Sequence, residues 1–302
     1  MLFIITVKPF GILNRLIMKN NSSRFLVFAS FFSLLFIFFS EACSGGRSGN
    51  TDKKSISPVQ NVPAPLGYGM KSVEKIYNNG QNHGDDESYC KCRYPFFSGG
   101  EEVAAINRTV ESWIADSTAI RLGESTGRSG SQSIEVLAEQ FLREYAAFRK
   151  ENGTALPYQF DLTGSVLLNR SGVLTVDITY SAYTGGAHGM SYTEYMVFDT
   201  LSGRRLGISD IFVPGFEKRL NELVDARFRS MKGLSKTDPL DGEQGSLFEN
   251  FIKFNQNFAL TDKGVTFFYN QYEIAAYAFG STELQLTYGE LADILKPGFK
   301  AL

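Results

Sequence analysis

Histidine, cysteine and tryptophan are scarce in this 302-residue chain, which holds two His, three Cys and one Trp. The scarcity removes the usual zinc patterns: H-x-x-x-H, H-E-x-x-H and paired C-x-x-C spacings do not occur. A G-x-S-x-G nucleophile elbow is missing too, since Gly49, Gly130 and Gly245 adjoin serines only in loop-like segments. Positive charge is not in excess, with 30 Lys and Arg against 32 Asp and Glu. With no basic stripe carrying interleaved aromatics, nucleic acid is excluded as the expected partner. A run of about 20 apolar residues, the length that crosses a hydrocarbon core, is also absent. The longest, residues 25–39 (FLVFASFFSLLFIFF), has 15.

That shorter run fits the apolar region of an export signal. Lys19 and Arg24 precede it, and Ser40, Glu41, Ala42 and Cys43 follow. A small residue before a cysteine resembles the lipobox of a bacterial lipoprotein, although Glu41 is an unusual occupant. The expected organisation is an extension over residues 1–17 ahead of a start at Met18, a lipoprotein signal peptide over 18–42, and lipidation at Cys43 by palmitate-type acyl chains. A signal anchor that is not cleaved, with Cys43 an incidental thiol, is the alternative. Residues 43–84, rich in Ser, Gly, Asn, Pro and Lys, read as a flexible tether. Residues 43–302 carry 26 basic and 31 acidic side chains, a net charge of about −5. The expected location is the bacterial cell envelope, lipid-anchored, periplasmic or surface-exposed, with the lipid bilayer as one partner.

The folded part is expected to start near Ser88. Residues 88–94 alternate like a strand that Pro95 ends. Cys90 and Cys92 then share a face at roughly 6.5 Å, at the limit of a disulfide, so they read as structural thiols before a strained bridge or a soft-metal pair. Val103, Ile106, Val110, Trp113 and Ile114 recur at helical spacing over residues 101–117, with Trp113 as a core anchor. A second helix starts at the cap Ser133, presents Ile134, Leu137, Phe141, Leu142, Tyr145 and Phe148, and stops at Asn152 and Gly153. From Tyr158 the period becomes two, and three strands with short links predict an antiparallel meander whose Ser and Thr positions form a wet face. Further on, helices are expected near 214–231, 247–254 and 288–295, with strands at 258–260, 265–269 and 283–287. The predicted class is α+β, with mainly antiparallel sheets, helices packed on them, and two intimately associated subdomains: an N-terminal α+β unit, 85–200, and a C-terminal unit, 201–302.

Two segments stand out as candidate sites. Tyr183, Thr184, Gly185, Gly186, Ala187, His188 and Gly189 lie between two strands, where three glycines permit unusual backbone and His188 can change charge near neutrality. Ser191, Asp177 and Asp199 supply the residue types of a nucleophile and an orienting acid. The plainer reading is a connection that the imidazole fixes. The second segment, residues 267–280, is dense in Tyr and Phe, with Tyr272, Glu273 and Tyr277 as candidate contacts. Its plainer reading is a strand and a packed turn.

Together these two segments resemble the extracytoplasmic domain of the RsiV family, found in lysozyme-sensing anti-sigma factors and beside polysaccharide deacetylase domains. The resemblance is carried by residues 183–189 and 268–280, with 284–295 as the closing strand and helix, and by Tyr94, Pro95, Ile106 and Asn107 upstream. It implies a module that holds lysozyme at the cell surface. No sigma-binding segment and no deacetylase domain are recognisable beside it. The expected function is therefore a membrane-anchored, non-enzymatic binding module for lysozyme or a peptidoglycan-related ligand, with no cofactor and no metal. The alternatives are a cell-wall or glycan hydrolase using His188, and a purely structural envelope protein.

Overall fold

A computed structural model describes residues 63–77, 87–117, 120, 132–153, 156–300 and 302, all within one compact unit, Pro58–Leu302. Cys43, the expected signal segment and His83 lie outside the described residues. Among those residues, no helix is long and apolar enough to cross a membrane.

The N-terminal half is a five-stranded sheet with strand order β1-β2-β3-β4-β5. Its strands are β1 (Tyr68–Ile76), β2 (Tyr89–Phe97), β3 (Gln159–Arg170), β4 (Val173–Tyr183) and β5 (Met190–Asp199). The last three form the expected antiparallel meander. Strands β2 and β3 pair in parallel, which needs a long crossover, and the chain supplies it with two helices, α1 (Glu101–Ser117) and α2 (Ile134–Asn152). The helix ends follow their local chemistry. Ser133 accepts from Val136 N, and Gly153, at φ 73°, closes the C-terminus.

Alternation decides which face of the sheet is apolar. Cys90, Cys92, Phe160, Leu162, Val176 and Ile178 point one way and are covered by Ile106, Ile114, Leu137 and Phe141 of the helices. Cys90 and Cys92 are buried free thiols in this core. The hydrogen bond with Cys90, together with burial, pushes the Cys92 thiol far above its ordinary range. Trp113 packs at the core's margin against Tyr192, ring centroids 6.1 Å apart. Asp161, Ser165, Asp177, Thr179, Ser181 and Ser191 take the intervening positions and supply the polar face.

The second half contains a one-turn helix α3 (Ile208–Ile211), helix α4 (Glu217–Lys232), and a three-stranded antiparallel sheet of β6 (Phe258–Leu260), β7 (Gly264–Tyr269) and β8 (Thr282–Thr287). Its core of Phe212, Leu220, Phe228, Phe267 and Leu286 also takes Leu168, Val173 and Val197 from the first sheet. The two subdomains therefore share apolar contacts across the 200/201 boundary. At Gly264, φ is 153° and a Cβ would fall on the Leu286 carbonyl oxygen, so no side chain fits where β7 leaves its turn.

Four details of the sequence reading are corrected. Residues 68–76, assigned to the 43–84 tether, form β1, paired with β2 along its whole length. As an edge strand it buries only Val73 fully, so it lacks the apolar alternation that marks a half-buried strand. Pro95 does not end β2. Tyr89 N donates to Tyr158 O and Phe97 N to Asn107 Oδ1, both away from β1, and Pro95 in the same alternation lacks a donor where β3 pairing has already stopped at Arg93. Residues 247–254 are not helical. Leu247 bridges Ala275 and Phe248 N donates to Ile274 O, which holds the segment against another strand-like stretch. Residues 288–295 form successive turns, with Leu291 N donating to Thr287 O and Leu295 N to Leu291 O, before Leu295 bridges Phe212.

Asparagine amides repeatedly complete the backbone pairing. Asn107 binds both N and O of Phe97 (2.9 and 2.8 Å), and Asn169 does the same for Leu66 (2.9 and 2.8 Å). Along the outer edge of β5, Asn257 Oδ1 accepts from Tyr195 N and Asn270 Oδ1 from Thr193 N, both at 2.8 Å. Both side chains donate to Thr193 O, at 2.7 and 3.0 Å. Replacing Asn257 with Ala orphans a buried N–H and removes one of two donors to a carbonyl. We expect a loss of about 2–4 kcal/mol in urea denaturation, against a change near zero for the exposed control Lys263→Ala.

Candidate functional site

The loop 184–189 joins β4 to β5. Gly185 and Gly186 have φ 86° and 101°, and nothing lies within 4 Å of where a Cβ would stand. Glycine is thus required for backbone conformation there. Tyr183 Oη donates across the loop to Gly186 O (3.0 Å). His188 Nδ1 lies 2.9 Å from Gly189 O; a carbonyl only accepts, so Nδ1 carries the proton and, in the neutral ring, Nε2 is the acceptor.

Both segments marked in the sequence meet here. The His188 ring stacks on Tyr277, centroids 4.0 Å apart and planes 24° apart, while Tyr277 Oη donates to Gly189 O (2.9 Å). Tyr277 opens a single 3-10 turn, Tyr277–Phe279, and its ring lies 5.6 Å from that of Tyr272. Tyr272 has φ 65°, a left-handed conformation that costs a bulky residue roughly 1–2 kcal/mol. A clasp on either side sustains it: Asn270 N donates to Glu273 Oε2 (2.8 Å) and Glu273 N to Asn270 O (3.1 Å). Asn255 Nδ2 holds the other Glu273 oxygen (2.7 Å). Glu273 is therefore a clamp for the turn. Thr184 is half-buried at the loop's start.

Where loop and turn meet, they form one wall of a cleft of about 270 Å³ whose lining includes Asp161, Ser181, Tyr183, Ser191, Gln271 and Tyr277. Four of these were not among the sequence candidates for ligand contact: Asp161, Ser181, Ser191 and Gln271. Asp161, Ser181 and Ser191 belong to the polar alternation of β3, β4 and β5, a signal visible in the sequence. Which end of that face the C-terminal unit would approach was not visible.

Of the residues weighed as partners of His188, Ser191 lines the cleft, whereas the two carboxylates are engaged elsewhere. Asp199 accepts from Ser202 Oγ (2.7 Å) and Leu201 N (3.0 Å) in a turn. Asp177 accepts from Thr179 Oγ1 (3.1 Å). Burial raises the Asp177 carboxyl above its ordinary range, Glu283 adding to the rise and the Thr179 bond opposing it. At the cleft, burial and the hydrogen bond to Asp161 push the Tyr89 hydroxyl up to about 12.

Comparison with known proteins places this geometry. Residues 209–289 match the model of a family described as "Protein of unknown function (DUF3298)", and residues 82–191 match one described as "Deacetylase PdaC". A solved DUF3298 family protein from Pseudomonas aeruginosa aligns with a TM-score of 0.58 and 22% identity over 78% of this chain and 97% of its own. Another, from Bacteroides fragilis, aligns with 0.57 and 22% over 77% and 94%. The chain thus carries a DUF3298-type region and shares the fold of these solved proteins. No curated protein matches the chain.

The raised Asp177 makes a pH prediction. A carboxyl whose folded pKa lies above its unfolded one holds its proton more tightly when folded. Its destabilising contribution is absent below the ordinary value of about 4 and grows as pH rises through the folded pKa. Asp177→Asn should therefore be more stable than wild type at pH 7, with the gap closing toward about pH 4 in urea titrations.

Proposed function

We propose that this chain is a ligand-binding module of the bacterial cell envelope, held to the bilayer through acylated Cys43, and that it binds lysozyme or a peptidoglycan-related glycan without chemical conversion. The observation that carries this reading is the docking of the 184–189 loop on Tyr277, which shapes a polar cleft from two distant segments. His188 acts in it as a fastener: its Nδ1 is committed to a backbone carbonyl and its ring to Tyr277. A general base of the serine-hydrolase kind instead needs Nδ1 oriented by a carboxylate and Nε2 on a nucleophile. The region matching a model described as a deacetylase, and the resemblance to a domain found beside polysaccharide deacetylases, support an envelope setting. The net charge of about −5 over residues 43–302 favours encounter with a basic protein such as lysozyme, an effect that salt screens.

Immobilised full-length protein should retain lysozyme or purified peptidoglycan at low salt, and His188→Ala should weaken retention several-fold by releasing the loop. Retention of neither ligand at low salt overturns the proposal. Release of soluble glycan products by wild type but not by His188→Ala assigns a hydrolase instead.

A further inference from the structure

We infer that the cleft between the sheet and the 270–277 segment is a subsite for one ring of an uncharged or amino sugar. The inference rests on the binding-module reading and specifies its ligand. The argument starts from register. Asp161 stands opposite Ser181 on β4, and Ser181 opposite Ser191 on β5. One carboxylate and two hydroxyls from three adjacent strands thus form a row. At about 4.8 Å per strand it spans roughly 10 Å, the scale of a sugar ring and its linkage. The cleft's volume of about 270 Å³ sits just below the range of about 300–1,000 Å³ for small-molecule pockets, which suits a single ring.

The hydrogen-bonding groups that remain uncommitted define the ligand further. Tyr89 Oη donates to Asp161 Oδ2 (2.7 Å), leaving Oδ1 an acceptor with no partner among the described residues. Gln159 Nε2 reaches Glu87 O at 3.5 Å, which leaves its Oε1 to accept. On the opposite wall, Gln271 Oε1 accepts from Ser191 N (3.3 Å), which commits the oxygen and leaves Nε2 as a donor. The Ser181 and Ser191 hydroxyls serve either role. Two acceptors, one amide donor and two hydroxyls suit a ligand rich in O–H groups. Asp161 repels phosphate and carboxylate ligands, so anionic polymers are disfavoured. The half-buried rings of Tyr183 and Tyr277 flank the polar row, supplying apolar surface for the C–H groups of a sugar.

The test uses the full chain and the trimer of N-acetylglucosamine, with saturation-transfer NMR and calorimetry. We expect specific binding in the millimolar range or tighter. Asp161→Asn and Gln271→Ala should each weaken it about tenfold, or about 1.4 kcal/mol, and Glu222→Gln on α4 should leave it unchanged. Asparagine keeps an acceptor for Tyr89 Oη, so an unchanged melting temperature for Asp161→Asn certifies the fold. No transfer at about 10 mM sugar, weaker than any specific site of this kind should need, overturns the subsite, as does binding indifferent to both variants. Retention of lysozyme that Asp161→Asn abolishes, with no response to the trimer, also overturns the sugar subsite while leaving the binding module standing.

Discussion

The outer edge of β5 is the constraint on which the rest of this structure depends. An edge strand presents a row of backbone donors and acceptors that must be covered, paired or hydrated. Here residues 191, 193 and 195 direct their N–H groups to side-chain amides of Gln271, Asn270 and Asn257. Further along, Val197 O accepts from Leu206 N and Asp199 N donates to Arg204 O. The edge is thus closed by side chains at one end and by the returning backbone at the other. An amide side chain suits the task because it carries an acceptor and a donor with the polarity of a peptide group, and so takes a strand's place without being one.

That closure also builds the cleft. Asn270 and Gln271 are consecutive, so fixing the Asn270 amide on Thr193 places Gln271 beside Ser191 and feeds the chain into the left-handed Tyr272 and then Tyr277. Tyr277 meets the Gly189 carbonyl because the loop between β4 and β5 emerges from the same edge. The two halves of the protein are consequently joined twice: by Leu168, Val173 and Val197, which enter the second core, and by this polar seam. The cleft lies at the seam's end, where the paired groups give way to uncommitted ones.

Much of this was legible in the amino-acid pattern wherever one face of an element meets a core. The ends of α2 followed from Ser133 and Gly153, and the meander from its period of two. What stayed hidden involved partners distant in sequence. Residues 68–76 bury too little to announce a strand. Residues 247–254 have apolar spacing compatible with a helix, yet their backbone pairs with residues 274 and 275, and Phe248 and Phe251 remain about half exposed (54% and 53%). In residues 288–295, Thr287 and Glu290 cap the first turn reciprocally (2.8 and 3.3 Å), but Gly289 weakens propagation and Leu295 and Lys296 are drawn into backbone pairing with Phe212 and Ile211, so only turns form. At the site, loop and aromatic segment were visible separately, whereas Asp161 and Gln271 became contacts only through the long-range register. An asparagine in a loop has no local signature that it will complete a strand 60 to 80 residues away.

The most direct test of this account is native-state hydrogen exchange at β5, residue by residue. If Asn257 and Asn270 close the edge, the Thr193 and Tyr195 amide protons should exchange as slowly as those of the central strand β4, and Asn257→Ala should accelerate Tyr195 selectively. Rapid exchange of both amides in the unmodified protein, at the rate of a solvent-exposed edge, would contradict it.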